Sequence, residues 1–382
     1  MTDEKHDPVE FANELSAKLS SRSRHICFLF GSGIGKPSGL PMLDGLEERV
    51  IEKLDSEDVG IFEEIAKDRD LEEVLTRLRL IVQMDLVGEE IDGLTSEKAG
   101  ELDDEICEAI TQSLDISTAD MEPVIDFARW VKRSDYTRPI EVVTTNYDLL
   151  LESAFEDMSV PYFDGFVGNL KARFKREYVE QSSDSEKSPI PEEFIRLWKI
   201  HGSVNWQRED GYIYRLGHAV EGEKAAAIYP SMRKYDQSRK VPFLSLQDRF
   251  RRALDLEETV MIISGYSFND EHINNIIFEA ADRNPRSEFI VFSHQEISGI
   301  LYEHAEDTPN LIAAGPNGAF WKDWGQWKEP ERVENRHVWA DGEFTLRKFE
   351  RLAKFLARVD AQEHHQPRRY TITEDVFEEV DE

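Results

Sequence analysis

The chain has 382 residues, enough for one large hydrophobic core or two modest ones. With 40% hydrophobic residues it reads as globular, and no apolar run reaches the length of a membrane span. A formal net charge of −32 repels nucleic acid, so no direct nucleic-acid binding is expected. That charge fits either solubility and salt adaptation or docking onto a basic partner. Two cysteines, Cys27 and Cys107, make no disulfide framework, and the opening MTDEKHDPVEF lacks the basic-then-apolar pattern of a signal peptide. A reducing cytoplasm is therefore the expected location.

The first element is a helix over 7–19. Asp7 stands at the N-cap, Pro8 at the first helical position and Glu10 in the first turn, and Phe11, Leu15 and Leu19 share a face. An apolar run, Ile26 to Phe30, reads as a buried strand. It ends in Gly31-Ser32-Gly33-Ile34-Gly35, which continues into Ser38-Gly39-Leu40-Pro41. Such a turn after a strand serves either as a plain connection or as a place where backbone N–H groups meet a nucleotide phosphate.

From about 45 the pattern becomes helical. Leu71, Val74, Leu75 and Leu78 follow the i, i+3, i+4, i+7 rule. So do Leu102, Ile106, Ala109 and Ile110, and then Val124, Ile125, Ala128 and Val131. Residues 45–138 read as a helical insertion, with the acidic stretch 88–105 as a solvated loop or helix face.

Residues 139–143 predict the next strand, followed by Thr144-Thr145-Asn146-Tyr147-Asp148 and a leucine-rich helix. Segment 181–191 reads as a surface loop. Leu197 to Ile200 is a short strand stopping at His201-Gly202. Val260 to Ile263 is an apolar strand ending at Ser264-Gly265, with a helix starting near Asn269 or Asp270. Ser267 and Asp270 fit a capping box there. Residues 288–292 give another strand. Residues 315–339 take no regular assignment, and Trp321, Trp324 and Trp327 read as loop packing rather than ligand stacking. Phe349, Ala353 and Leu356 mark a C-terminal helix beginning near Leu346, and 340–382 is read as that helix plus an acidic tail. His364-His365 reads as a surface pair, not a metal site. Arg368-Arg369 is too short for a nucleic-acid patch. No internal repeat is evident.

Strands alternating with helices predict an α/β fold with a Rossmann-like parallel sheet, and ligands of such sheets bind beyond the carboxyl ends of the strands. Four motifs in order then carry a resemblance. Gly31-Ser32-Gly33-Ile34-Gly35 running into Ser38-Gly39-Leu40-Pro41, then Thr144, Asn146 and Asp148, then His201-Gly202, then Gly265-Tyr266-Ser267, resemble the sirtuin family. The resemblance covers most of 24–45 and 139–295, so the whole of 1–382 is read as one sirtuin-like domain interrupted by 45–138. Two departures matter. Deacylating sirtuins carry two Cys-x-x-Cys pairs for zinc, whereas this chain's two cysteines lie eighty positions apart. Their Asp-Phe-Arg is here Met42-Leu43-Asp44. The wording TTNYD, HGSVNW and GYSFNDEHIN is similar to sirtuin-like effectors of bacterial antiphage defence, which hydrolyse NAD. Chain length and the Asp341-Gly342-Glu343-Phe344 segment, read as leading into the last helix, look most like the member that assembles with a HerA-type ATPase.

What the resemblance implies is an NAD+ glycohydrolase, with NAD as substrate, no metal, a homo-oligomeric state and an ATPase partner. His201 would be the base and Asn146 would orient water and the nicotinamide ribose. Gly31, Ser32 and Gly33 would lie against the pyrophosphate. Thr145, Asn146 and Asp148 would contact the nicotinamide side, and Gly265, Ser267 and Asn269 the adenosine side. Each polar residue also has a plain structural reading. His201 could hydrogen-bond at a strand end, and Asn146 could serve as a turn residue. Asp148, Asn269 and Asp270 could serve as helix caps. Tyr147 and Phe268 read as core or pocket walls. An NAD-dependent protein deacylase and a non-enzymatic NAD or ADP-ribose sensor are the alternatives.

Overall fold

A computed structural model of the chain describes residues 5–67, 69–84, 90–181, 188–220, 242–330 and 338–363. The readings of His364, His365, Arg368, Arg369 and the acidic tail fall outside the described residues. The architecture is α/β, built on a ten-stranded, mostly parallel sheet of Rossmann type.

Its centre is four adjacent parallel strands, in the order Thr259–Ser264, His25–Phe30, Glu141–Thr144 and Ile195–Lys199. Every residue of these strands is buried. Their continuous apolar character follows from cover on both faces. On one face Phe28, Phe30, Val142, Leu197 and Ile262 pack with the helices Pro8–Ser20, Glu122–Arg133, Leu150–Asp157 and Phe349–Glu363. On the other, Cys27, Leu29, Val143, Trp198 and Ile263 pack with Phe243–Leu254, Glu271–Arg283 and Gly299–Asp307. Alternate residues of one strand thus feed opposite cores.

Outward from Thr259–Ser264 run Glu288–Phe292 and Leu311–Ala314, both parallel, then Gly318–Trp321 and Asp323–Trp327, both antiparallel. This hairpin supplies the regular structure that 315–339 did not reveal. Its tryptophans are packing residues: Trp321 and Trp327 stand edge-on to Phe11 at 5.4 and 5.6 Å. The N-terminal helix opens as its caps predict, with Asp7 Oδ1 accepting the Val9 N–H at 2.8 Å.

Two boundaries differ from the sequence reading. Asp341 and Gly342 do not lead into the last helix. Both have positive φ, 56° and 80°, and turn a short hairpin between Trp339–Ala340 and Glu343–Phe344, the conformation that Asp-Gly favours. The helix begins at Phe349. The acidic 88–105 stretch agrees with its reading as a loop or helix face, since part of it opens the helix Ser96–Ser113, which Thr95 caps.

Between the strands ending at Phe30 and Thr144, the helices Leu43–Lys53, Ser56–Ala66, Leu71–Met84 and Ser96–Ser113 enclose a core of their own. Tyr147 and Val204 join that core. The helix Glu122–Arg133 lies instead on the sheet, against Phe349–Glu363. A four-stranded antiparallel sheet, in the order Phe166–Val167, Lys171–Phe174, Tyr212–Leu216 and Trp206–Glu209, flanks the far side. Aromatic packing holds it, Phe166 lying 4.9 Å from Trp206 and 5.4 Å from Phe174.

Candidate active site

The four central strands end side by side, and every residue singled out from the sequence sits on the loops that leave them. The loops extend the sheet's ladder by one step each. Gly31 N–H donates to Ser264 O at 3.1 Å, Thr145 N–H to Phe30 O at 3.1 Å, and Ile200 N–H to Thr144 O at 3.0 Å. Residues more than two hundred positions apart thus share one edge.

The two glycine turns meet backbone to backbone. Gly33 N–H donates to Gly265 O at 2.9 Å. A Cβ on Gly33 would lie 2.7 Å from Gly265 Cα, and one on Gly265 would lie 2.6 Å from Ile34 N. Gly31 is equally closed, by Gly265 O and Tyr266 Cα. Gly265 also has φ +69°, a region that disfavours other residues. These glycines are therefore set by the contact between loops. Within 31–35 the N–H groups of Gly31, Gly33, Ile34 and Gly35 all go to carbonyls, and Ser32 N–H forms no such bond among the described residues. Any phosphate here would meet Ser32 rather than a cradle of amides.

Asn146 is 7% exposed, and both polar atoms of its amide are buried without a hydrogen-bond partner among the described residues. Its backbone is fixed: Asn146 N–H donates to Thr144 Oγ1 at 3.0 Å, and that hydroxyl donates to Phe30 O at 2.9 Å. Buried amides are normally paired, so an orphan on an ordered loop fits a polar ligand. Asp148 is buried, and its Oδ1 accepts Leu150 N–H at 3.0 Å, closing a turn just before the helix, whose N-cap is Leu149 rather than Asp148. Burial pushes its carboxyl above the usual range against the pull of Lys199.

Lys199 has no counterpart in the sequence reading, where it was one residue of a strand. It is 2% exposed. Its ammonium donates to the carbonyls of Asp148 and Tyr147 and to Glu152 Oε1, the last at 2.8 Å. The strand Ile195–Lys199, which leads into His201, is thereby tied to the Asn146–Asp148 loop.

His201 is buried, and its Nε2 lies 3.1 Å from Asp270 Oδ2. Asp270 also caps the helix Glu271–Arg283, its Oδ1 accepting His272 and Ile273 N–H at 2.9 and 3.1 Å. The capping box is thus corrected: Asp270 is the N-cap, because its backbone is extended, φ −87°, ψ 104°. Burial raises the Asp270 carboxyl, but the hydrogen bond and charge of His201 and the two N–H groups outweigh it and hold it below the usual range. An ionised carboxylate only accepts, so His201 Nε2 carries the proton of this bond. Sequence reasoning gave Asp270 a cap, compatible with a ribose contact, and no link to His201. A cap uses one oxygen, and nothing in the local pattern reveals what the second one faces.

Ser267 and Asn269 are exposed on the loop between Gly265 and Asp270. Tyr147 is a wall, its ring 6.4 Å from the imidazole. Phe268 lies against Tyr266 and Phe278.

Residues 140–325 match the family model described as the SIR2-like domain. The match supports a sirtuin-like family and a sirtuin-related, NAD-binding function. It takes in Thr145, Asn146, Asp148, His201, Gly265, Ser267 and Asn269, whereas Gly31, Ser32 and Gly33 precede it. No curated protein matches the chain. Among the described residues no group of His, Cys, Asp or Glu side chains could hold a metal ion, and no helix is long and apolar enough to cross a membrane.

Proposed function

We propose that the chain is an NAD+ glycohydrolase, converting NAD+ and water into nicotinamide, ADP-ribose and a proton. The observation that carries this is Asn146: a buried amide with both polar atoms unpartnered among the described residues, on the loop tied by Lys199 to the strand that leads into His201. Breaking the glycosidic bond sends its electron pair into the cationic nicotinamide ring and leaves oxocarbenium character on the ribose. Asn146 would orient water and the ribose hydroxyls with its donor and acceptor. His201 would take the proton from that water, and Asp270 would stabilise the resulting imidazolium. Ser32 and Ser267 would face the phosphates and the adenosine side.

Met42-Leu43-Asp44 in place of Asp-Phe-Arg, and only two cysteines, favour hydrolysis over deacylation. The same reading makes the chain an NAD-depleting effector of antiphage defence, in homo-oligomeric form and held in check by a HerA-type ATPase. The helical unit, which shares Tyr147 and Val204 with the site loops, is suited to carry such regulation.

The test follows nicotinamide and ADP-ribose after NAD+ is added to the chain, alone and with a HerA-type ATPase. His201→Ala and Asn146→Ala should each abolish turnover while retaining the fold. Unchanged turnover in the His201 variant would overturn the mechanism. Consumption that strictly requires an acylated lysine peptide would establish a deacylase instead.

A further inference from the structure

A polar cavity of about 230 Å³ lies between the Ser38–Leu40 turn, the helix Leu43–Lys53 and the end of the helix Ser96–Ser113. Asn146, Asp148, His201 and Asp270 do not line it. We propose that it binds a small zwitterion of the amino-acid type, carboxylate on Arg49 and ammonium on Asp115.

Three features of the lining point to a ligand. Ser38 is 2% exposed, and its Oγ is buried without a partner among the described residues. A buried hydroxyl is normally paired, and one at a cavity wall can be paired by what enters. Arg49 is exposed and forms no hydrogen bond or ion pair among the described residues, in a chain with 78 acidic and 46 basic side chains. Its planar fork suits a carboxylate. Next to Ser38, Gly39 has φ +88° and open space where a Cβ would stand.

Charge selects the class. Asp115 is held in place by Ser117, whose N–H and hydroxyl donate to it at 3.0 and 2.6 Å. Those bonds keep its carboxyl ionised, below the usual range. The helix Ser96–Ser113 ends at the same wall, where its terminal carbonyls favour a cation. One side of the cavity therefore prefers positive charge, and Arg49 prefers negative. A phosphate dianion would gain Arg49 but oppose Asp115 and the helix end. A simple amine would gain Asp115 but oppose Arg49. A zwitterion satisfies both, with Ser38 and Thr118 as hydroxyl partners.

The site would also matter to its neighbour. Ser38 and Leu40 N–H both donate to Gly35 O, at 3.0 and 3.1 Å, so the cavity wall is continuous with the 31–35 turn.

Calorimetric titration of the full chain with each of the twenty amino acids, and with inorganic phosphate and AMP for contrast, tests the idea. It is read without NAD turnover, so its result is separate from that of the proposed reaction. An amino acid should saturate one site. Its affinity should fall roughly tenfold or more in Arg49→Ala and in Asp115→Asn. Binding should vanish in Thr118→Trp, and because Thr118 is exposed the melting curve of that variant should be unchanged. No amino acid binding, tighter binding of phosphate or AMP, or undiminished binding in Arg49→Ala would overturn the proposal.

Discussion

Lys199 donates its ammonium to the main-chain carbonyl of Asp148, binding the end of one central strand to the loop that leaves its neighbour. The charge is balanced by Glu152 at 2.8 Å, and both side chains are buried. Removing one partner of a buried pair leaves the other uncompensated, so Lys199→Met should cost about 3–5 kcal/mol. The double variant Lys199→Met with Glu152→Leu should recover most of that stability. It should still turn over NAD slowly, because the Asn146–Asp148 loop has lost its tie. Denaturant melts and kcat on the same samples separate the two effects. Full recovery of kcat in the double variant would make Lys199 a stability residue alone.

Asp270 offers a different split, since one oxygen caps a helix and the other faces His201. Asp270→Asn keeps a capping oxygen but removes the charge beside the imidazole. Turnover should drop by about tenfold or more, and the limb of the pH–rate profile that reports His201 should move to lower pH. Asp270→Ala should lose in addition about 1 kcal/mol of stability with the cap. The stability trend has a defined sign. The folded carboxyl is held below its usual value of about 3.9, so its contribution is complete above that value and fades as pH falls through it. Relative to Asp270→Asn, the wild type should therefore lose stability between about pH 5 and pH 3.

Much of this was legible in the chain. Ile26–Phe30, Val260–Ile263 and 288–292 announce strands because a sheet covered on both faces needs unbroken apolar runs. The polar residues that stop those runs announce the site edge. Lys199 was not legible, because its role depends on carbonyls some fifty positions away. Nor was the meeting of Gly33 with Gly265, since a glycine looks the same in sequence whether a ligand or another loop closes over it. The Gly318–Trp321 and Asp323–Trp327 hairpin hid for a third reason. Its tryptophans pack against a helix near the other end of the chain, and its turn residue Lys322 takes a positive φ of 72° that lysine does not advertise.

The loop contact makes its own prediction. Gly265→Ala adds a Cβ 2.6 Å from Ile34 N at a φ of +69°. Both strain and overlap follow, and a loss of at least about 2 kcal/mol is expected. Gly39→Ala, at φ +88° with open space around it, carries the backbone strain alone and should cost about 1–2 kcal/mol. Equal losses in the two variants would argue against tight packing between the glycine turns.

Asn146 and Asn274 should respond oppositely to truncation. Asn274 is satisfied, donating to Phe268 O at 2.8 Å and accepting from the Tyr266 hydroxyl at 2.9 Å. Its alanine variant should lose about 1–2 kcal/mol, since the partly buried Phe268 carbonyl loses a partner and the Tyr266 hydroxyl keeps only Asp270 O. Asn146→Ala removes two buried atoms that have no partner among the described residues, so its stability should be unchanged or higher while turnover falls by about a hundredfold or more. Destabilisation of Asn146→Ala to the level of Asn274→Ala would place the amide among structural residues.

The side sheet supplies a titration of the opposite sign to Asp270. Asp164 is buried, with Phe166 N–H on Oδ1 at 3.1 Å and Arg215 Nε 2.9 Å from Oδ2. Burial raises its carboxyl, the arginine and the N–H lower it, and the nearby Glu152 raises it again. Burial wins because the carboxylate gives up its water on all sides while Arg215 stays partly hydrated, and the group titrates at about 6. A folded value above the unfolded one of about 3.9 means a contribution fully present below that pH and lost as pH rises through about 6. Relative to Asp164→Asn, the wild type should be favoured at pH 4 and should forfeit on the order of 2–3 kcal/mol of that advantage by pH 7. Urea melts of both proteins across this range measure it. A difference that grows with pH would mean that Arg215, rather than burial, governs Asp164.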